Sequence, residues 1–208
     1  TTGTYNYIMG SLPLYVKILA ALGGYRGSRE RGLEAIRTVA EHGRWANDDA
    51  RVALLTFYAR EKRYADALQT AGVLAQKYPR NFVFQLERAG LLIELGRAAE
   101  SWRIFDALLA NQSMRSAGDL IHYQYAEALA AQGQPDDALR HFEAAAALPD
   151  AAAEIAARAM LRAGQMSDLL GRREAARQRY RRVLDMPNAY DSHNQARAGL
   201  KHAYSKKD

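Results

Sequence analysis

The sequence predicts an all-α protein: a right-handed α-solenoid of about five stacked helix pairs, closed by a C-terminal capping helix. Three observations predict it. Apolar residues recur at helical spacing, with Leu54, Leu55 and Tyr58 in one segment and Tyr64, Ala67, Ala71 and Leu74 in the next. The same arrangement returns 34 residues later, a period typical of helix-pair arrays. The 208 residues are rich in alanine and hold only 15 glycines and 5 prolines, which leaves room for long helices.

Residues 3–10 read as the remnant of a preceding helix. A divergent first pair spans 13–47, with Gly27 as its turn and Ile36 and Val39 facing inward. His42 closes its second helix, where a partly positive ring suits the dipole. The clearest unit is 48–81. Its turn is Lys62-Arg63, and it closes at Tyr78-Pro79 because proline cannot continue a helix. Unit 82–115 has Gly96 in the turn, Ser101 in the place of Ala67, then Phe105 and Leu108. Unit 119–152 has Gly133, then Ala138, Phe142 and Ala145. Unit 157–190 has Gly164 in its first helix, Gly171 in the turn, then Ala176, Tyr180 and Val183. Extra residues fall at 113–118 and 153–156, between units, where an insertion costs little. The capping helix is 192–204. No linker-like stretch interrupts the series, so 1–208 reads as a single domain. Its abrupt start reads as a fragment of a longer chain. Tyr5, Tyr7, Ile8 and Met9 are expected to be covered, either locally or by self-association through the N-terminal helix.

The small residue opening each second helix has a steric reason. Two antiparallel helices approach closely beside a tight turn, and a larger side chain would force them apart. The large residue four positions on fills the space that opens as they diverge. This pattern, strongest at Leu54, Leu55, Tyr58, Ala67 and Pro79, resembles the tetratricopeptide repeat. It departs from the usual pattern at Gly32, Arg88 and Ser101. The resemblance covers about four-fifths of the chain. A second, shorter resemblance runs through Gly3-x-Tyr5-Asn6-Tyr7, Ser11-Leu12-Pro13, Leu22-Gly23-Gly24-Tyr25-Arg26-Gly27 and Arg29-x-x-Gly32-Leu33. It is to the tetratricopeptide repeat protein 39 and inclusion-body-clearance family and to related bacterial repeat proteins. The composition, heavy in alanine and arginine, favours a bacterial source.

Chemistry is scarce. The absence of cysteine excludes a disulfide scaffold, a thiolate zinc site and a cysteine nucleophile, and leaves cytoplasm and periplasm equally open. No phosphate loop, metalloprotease helix or nucleophile elbow is present, so no catalytic residue and no cofactor is assigned. Gly23-Gly24-Tyr25-Arg26-Gly27 joins two helices and does not follow a strand, so it reads as a turn. No stretch reaches the roughly 20 apolar residues of a membrane span. Among five histidines no pair stands four apart. His122 and His141 lie on paired helices and can approach, but without a third ligand no metal site is assigned. Tyr58, Tyr64, Phe105, Phe142 and Tyr180 fall on core positions.

Lys and Arg number 29 against 23 Asp and Glu. The densest basic run, Arg172, Arg173, Arg177, Arg179, Arg181 and Arg182, is spread round the helix and reads as a solvated convex face. The resemblance implies a concave groove lined by the first helix of each pair. The groove positions are Val52, Thr56 and Arg60; Leu86, Gly90 and Glu94; Tyr123, Glu127 and Ala130; Leu161, Gln165 and Asp168. Tyr123 is the expected aromatic anchor, and the lysine/asparagine clamp of chaperone-docking repeats is missing at Val52, Thr56, Leu86 and Gly90. The expected function is a non-catalytic protein–protein interaction scaffold holding a peptide or protein segment in the groove. The rivals are a basic surface for nucleic acid or an anionic membrane, and an accessory domain of a larger enzyme.

Overall fold

The structure, a computed structural model, describes residues 29–43 and 46–206. The first helix of pair 13–47, the four apolar N-terminal residues and most of the second resemblance lie outside the described residues. Within them are ten α-helices, one 3-10 helix and no strand. The helices are α1 (Arg29–His42), α2 (Asn47–Arg60), α3 (Tyr64–Lys77), α4 (Val83–Glu94) and α5 (Ala98–Ala110). After the 3-10 helix Gln112–Ala117 come α6 (Gly118–Ala131), α7 (Pro135–Ala147), α8 (Ala153–Leu169), α9 (Arg173–Leu184) and α10 (Ser192–Lys201). The described residues fall into two compact units, the first ending at Leu91 and the second beginning at Leu92, the division falling inside α4.

In the first unit α1 packs on α2 and α2 on α3. Leu33, Leu54, Leu55, Tyr58, Ala67, Ala71, Leu74 and Leu91 form its core, with Ile36 and Val39 packed against them. The Tyr58 hydroxyl accepts from Arg37 Nη2 at 3.1 Å, which ties α1 to α2. In the second unit α5 to α9 pack each on the next, and α10 lies on both α8 and α9.

The helix-pair periodicity comes from two local devices. The first is the turn. Lys62, Gly96, Gly133 and Gly171 all have φ between 60° and 73°, and the following N–H bonds to the carbonyl five residues back: Arg63 to Tyr58, Arg97 to Leu92, Gln134 to Leu129, Arg172 to Ser167. This closure needs a left-handed residue, which glycine adopts without the steric cost that Lys62 carries. The second device is the small residue after it. Ala67, Ser101, Ala138 and Ala176 are all completely buried.

Two boundaries differ from the sequence reading. Residues 153–156 are not a connection but the first turn of α8, which at 17 residues is longer than the 14 of α2 and α6. The alanines there are good helix formers, so the helix simply extends. The last helix ends at Lys201. His202 is extended, and the Tyr204 N–H is drawn away to a side chain of α8 instead.

Candidate functional site

Residues four apart on a helix share a face. On α2, in the first unit, Val52 and Thr56 are half-buried and Arg60 is exposed. The Thr56 hydroxyl donates to the Val52 carbonyl at 3.1 Å. On α4, Leu86 is half-buried while Gly90 and Glu94 are exposed, and a side chain built on Gly90 would meet open space.

The second unit carries the more developed site. The Tyr123 hydroxyl donates to Glu127 Oε1 at 2.8 Å. Glu127 in turn takes a two-pronged bond from Arg162, Nε at 2.8 Å and Nη2 at 2.7 Å. Arg162 Nη1 donates to Gln165 Oε1 at 2.7 Å. Burial opposes the Arg162 charge, yet Glu127 holds its pKa above the ordinary value. Burial first, then the Glu127 charge, raises that of the Tyr123 hydroxyl. Phe142 meets Tyr123 edge-on at 5.6 Å between centroids. The Arg158 guanidinium lies over the Tyr123 ring at 5.3 Å and over the Tyr190 ring at 4.8 Å. Tyr190 is 57% exposed and, with Asp191, takes the left-handed conformation just before α10.

Four expected groove residues are placed differently. Tyr123 is buried at 7% exposure and is not an open anchor, because α7 covers it through Phe142 and Arg158 lies over its ring. Leu161 belongs to the core with Ala176, Tyr180 and Val183. Asp168 is no orienting surface charge. Its carboxylate is fully buried and accepts from Arg173 Nη1 at 3.0 Å, the Tyr180 hydroxyl at 2.8 Å and the Tyr204 N–H at 2.8 Å. Gln165 is buried at 9% exposure, its carbonyl drawn inward to Arg162, and with Glu127 it forms a connected polar group around that guanidinium. Ala130 is half-buried on α6.

Arg158, Arg162 and Tyr190 are absent from the groove positions read from sequence. A signal for Arg162 existed: opposite charges one repeat apart. Glu127 and Arg162 are 35 residues apart, while Asp136–Arg172 and Glu143–Arg179 are each 36 apart. The basic run is broken up by such pairs. Arg172 binds Asp136, Arg173 binds Asp168, Arg177 binds Glu174 and Arg179 binds Glu143, while Arg181 and Arg182 are exposed.

His122 and His141 do approach, with their Nδ1 atoms 2.9 Å apart, and the Tyr125 ring lies 4.2 Å from His141. Among the described residues no three metal-binding side chains gather. Burial lowers both imidazole pKa values, and the His122 charge lowers that of His141 further, while Asp106 and Asp137 oppose. Unfolded imidazoles titrate at ~6.5. The unfolded chain therefore binds protons first, so this contribution to stability is complete above that pH and lost as pH falls through the lowered folded values. Urea midpoints should drop with acidification across this window. His141→Gln should flatten that slope, and an unchanged slope would refute the assignment.

No family model matches the sequence, and no curated protein matches it. Solved structures do. Residues 41 to the end of MamA from Desulfovibrio magneticus RS-1 superpose with TM-score 0.57 at 14% identity, covering 84% of this chain and 96% of that one. YrrB, a tetratricopeptide-repeat protein with an unusual peptide-binding site, gives 0.56 at 17% identity, covering 90% and 89%. TTC0263, a thermophilic tetratricopeptide-repeat protein of Thermus thermophilus, gives 0.56 at 18% identity, covering 94% and 100%. With its recurrent left-handed turn and the buried small residue that follows it, the chain has the tetratricopeptide-repeat fold.

Proposed function

We propose that the protein is a non-catalytic interaction scaffold that holds a peptide or protein segment against the first helices of its repeats. The observation that carries this reading is the accessible face of those helices. Val52, Thr56 and Arg60 follow one another along α2, and Arg158 and Arg162 along α8, mixing apolar, polar and charged contacts. Mixed polarity suits a protein segment better than a uniformly anionic polymer. YrrB, of the same fold, has a peptide-binding site. Catalysis has little to work with in the second unit. Glu127 is committed to Arg162 and Tyr123, and Asp168 to three donors, so neither is free as a general base. The electrostatic-surface reading ranks lower because carboxylates already take four of the six arginines in the basic run.

The test is affinity capture with the intact chain, compared between surfaces. Thr56→Arg and Arg162→Ala are expected to weaken a captured partner by ~1–4 kcal/mol, the range of interface hot spots. Arg181→Ala with Arg182→Ala should leave capture within about twofold, since exposed rim charges contribute little. Binding lost with the arginine pair, and kept in the first-helix variants, would hand the case to the electrostatic surface. Retention on heparin that falls steeply with salt would accompany that outcome.

A further inference from the structure

We infer that Arg158 receives a single side-chain carboxylate from a segment laid along α8. This rests on the scaffold reading and names the chemistry the scaffold recognises. In the second unit five arginines are half-buried among the described residues. Four of them are paired: Arg162 with Glu127, Arg173 with Asp168, Arg177 with Glu174 and Arg179 with Glu143. Arg158 makes no ion pair and no hydrogen bond to a protein acceptor among the described residues. Its contacts are the faces of Tyr123 and Tyr190. A ring face attracts the cation but accepts no N–H···O bond, so the guanidinium fork stays available. Partly removed from water, it gains more from a carboxylate than a fully exposed arginine would.

Charge balance selects the ligand. Arg162 is neutralised by Glu127, which leaves Arg158 as the half-buried charge of this face without an ion-pair partner, the carboxylate of Glu154 one turn before it standing exposed in solvent. A monovalent carboxylate matches it, whereas a doubly charged phosphate would leave one of its charges uncompensated. The carboxylate is internal to the segment rather than terminal, because apolar contacts continue on both sides of Arg158. Exposed Tyr190 stands on one side. On the other, Leu169 is exposed on the same α8 face, about 16 Å along the helix. Gln165 stands between, buried, with its carbonyl given to Arg162.

Fluorescein-labelled short peptides of alanine and leucine supply the probe, read by anisotropy with the full chain. One carries a central Glu and an amidated C-terminus, and its counterparts carry Gln amidated, Gln with a free terminal carboxylate, or phosphoserine amidated. The Glu peptide is expected to bind about tenfold tighter than its Gln counterpart. Arg158→Gln should erase that difference, while Arg103→Gln, at an exposed arginine of α5, should preserve it. Circular dichroism melts establish that both variants remain folded. Equal binding of Glu and Gln peptides overturns the inference and leaves the scaffold reading standing. So does preference for the free terminus or for phosphoserine. Failure of every peptide to bind overturns the inference too, and leaves the scaffold reading to its own capture experiment.

Discussion

Asp168→Ala is expected to cost about 3 kcal/mol, the low end of the range for breaking a buried charge pair from one side, because the carboxylate is fully buried while Arg173 keeps 31% of its side chain exposed. The carboxylate is the only described acceptor of the Tyr180 hydroxyl, and it also binds Arg173 and the Tyr204 N–H. Removing it leaves a phenol buried without its partner and a guanidinium short of its charge, while the stretch of chain beyond α10 loses its tie. Arg173 retains only its bond to the Leu200 carbonyl at 3.0 Å. Urea unfolding would show a lower midpoint with an unchanged slope, and amide exchange in α10 should accelerate more than in α6. A midpoint within about 1 kcal/mol of wild type would remove Asp168 from the account of stability.

The second large effect is steric. The Tyr180 ring is fully buried and lies between two glycines of neighbouring helices. A β-carbon on Gly164 of α8 would stand 2.6 Å from Tyr180 Cε1, and one on Gly199 of α10 would stand 2.6 Å from Cε2. Neither contact can be relieved by sliding the ring, since the other helix blocks it and Asp168 holds the hydroxyl. Gly164→Ala and Gly199→Ala should each destabilise by about 1–3 kcal/mol through overpacking, although alanine is the better helix former by about 1 kcal/mol. Pairing Gly199→Ala with Tyr180→Leu should recover part of the loss relative to the sum of the single variants. Strict additivity would mean that the clash does not act through Tyr180.

Much of the repeat was legible because its signals are local. A turn needing positive φ selects glycine at Gly96, Gly133 and Gly171, and close approach selects Ala67, Ser101, Ala138 and Ala176, each within a few residues of the turn it serves. The site was less legible because covering is not local. Tyr123 and Asp168 stand at the expected first-helix positions, but the periodicity of one helix says nothing about what its neighbours lay over it. Phe142 lies 19 residues beyond Tyr123, and Tyr204 lies 36 beyond Asp168. Arg158 escaped for the converse reason, since its distinction is the lack of a carboxylate that every other half-buried arginine of the unit has.

The Tyr180 ring also keeps time. A phenol ring turns over only when the space beside it opens, and here that space is bounded by the backbones of two helices, α8 and α10, with the hydroxyl tethered above. For the ring to rotate by half a turn, α10 must lift away from α8 and α9, so the rate of that rotation is the rate at which this end of the chain breathes.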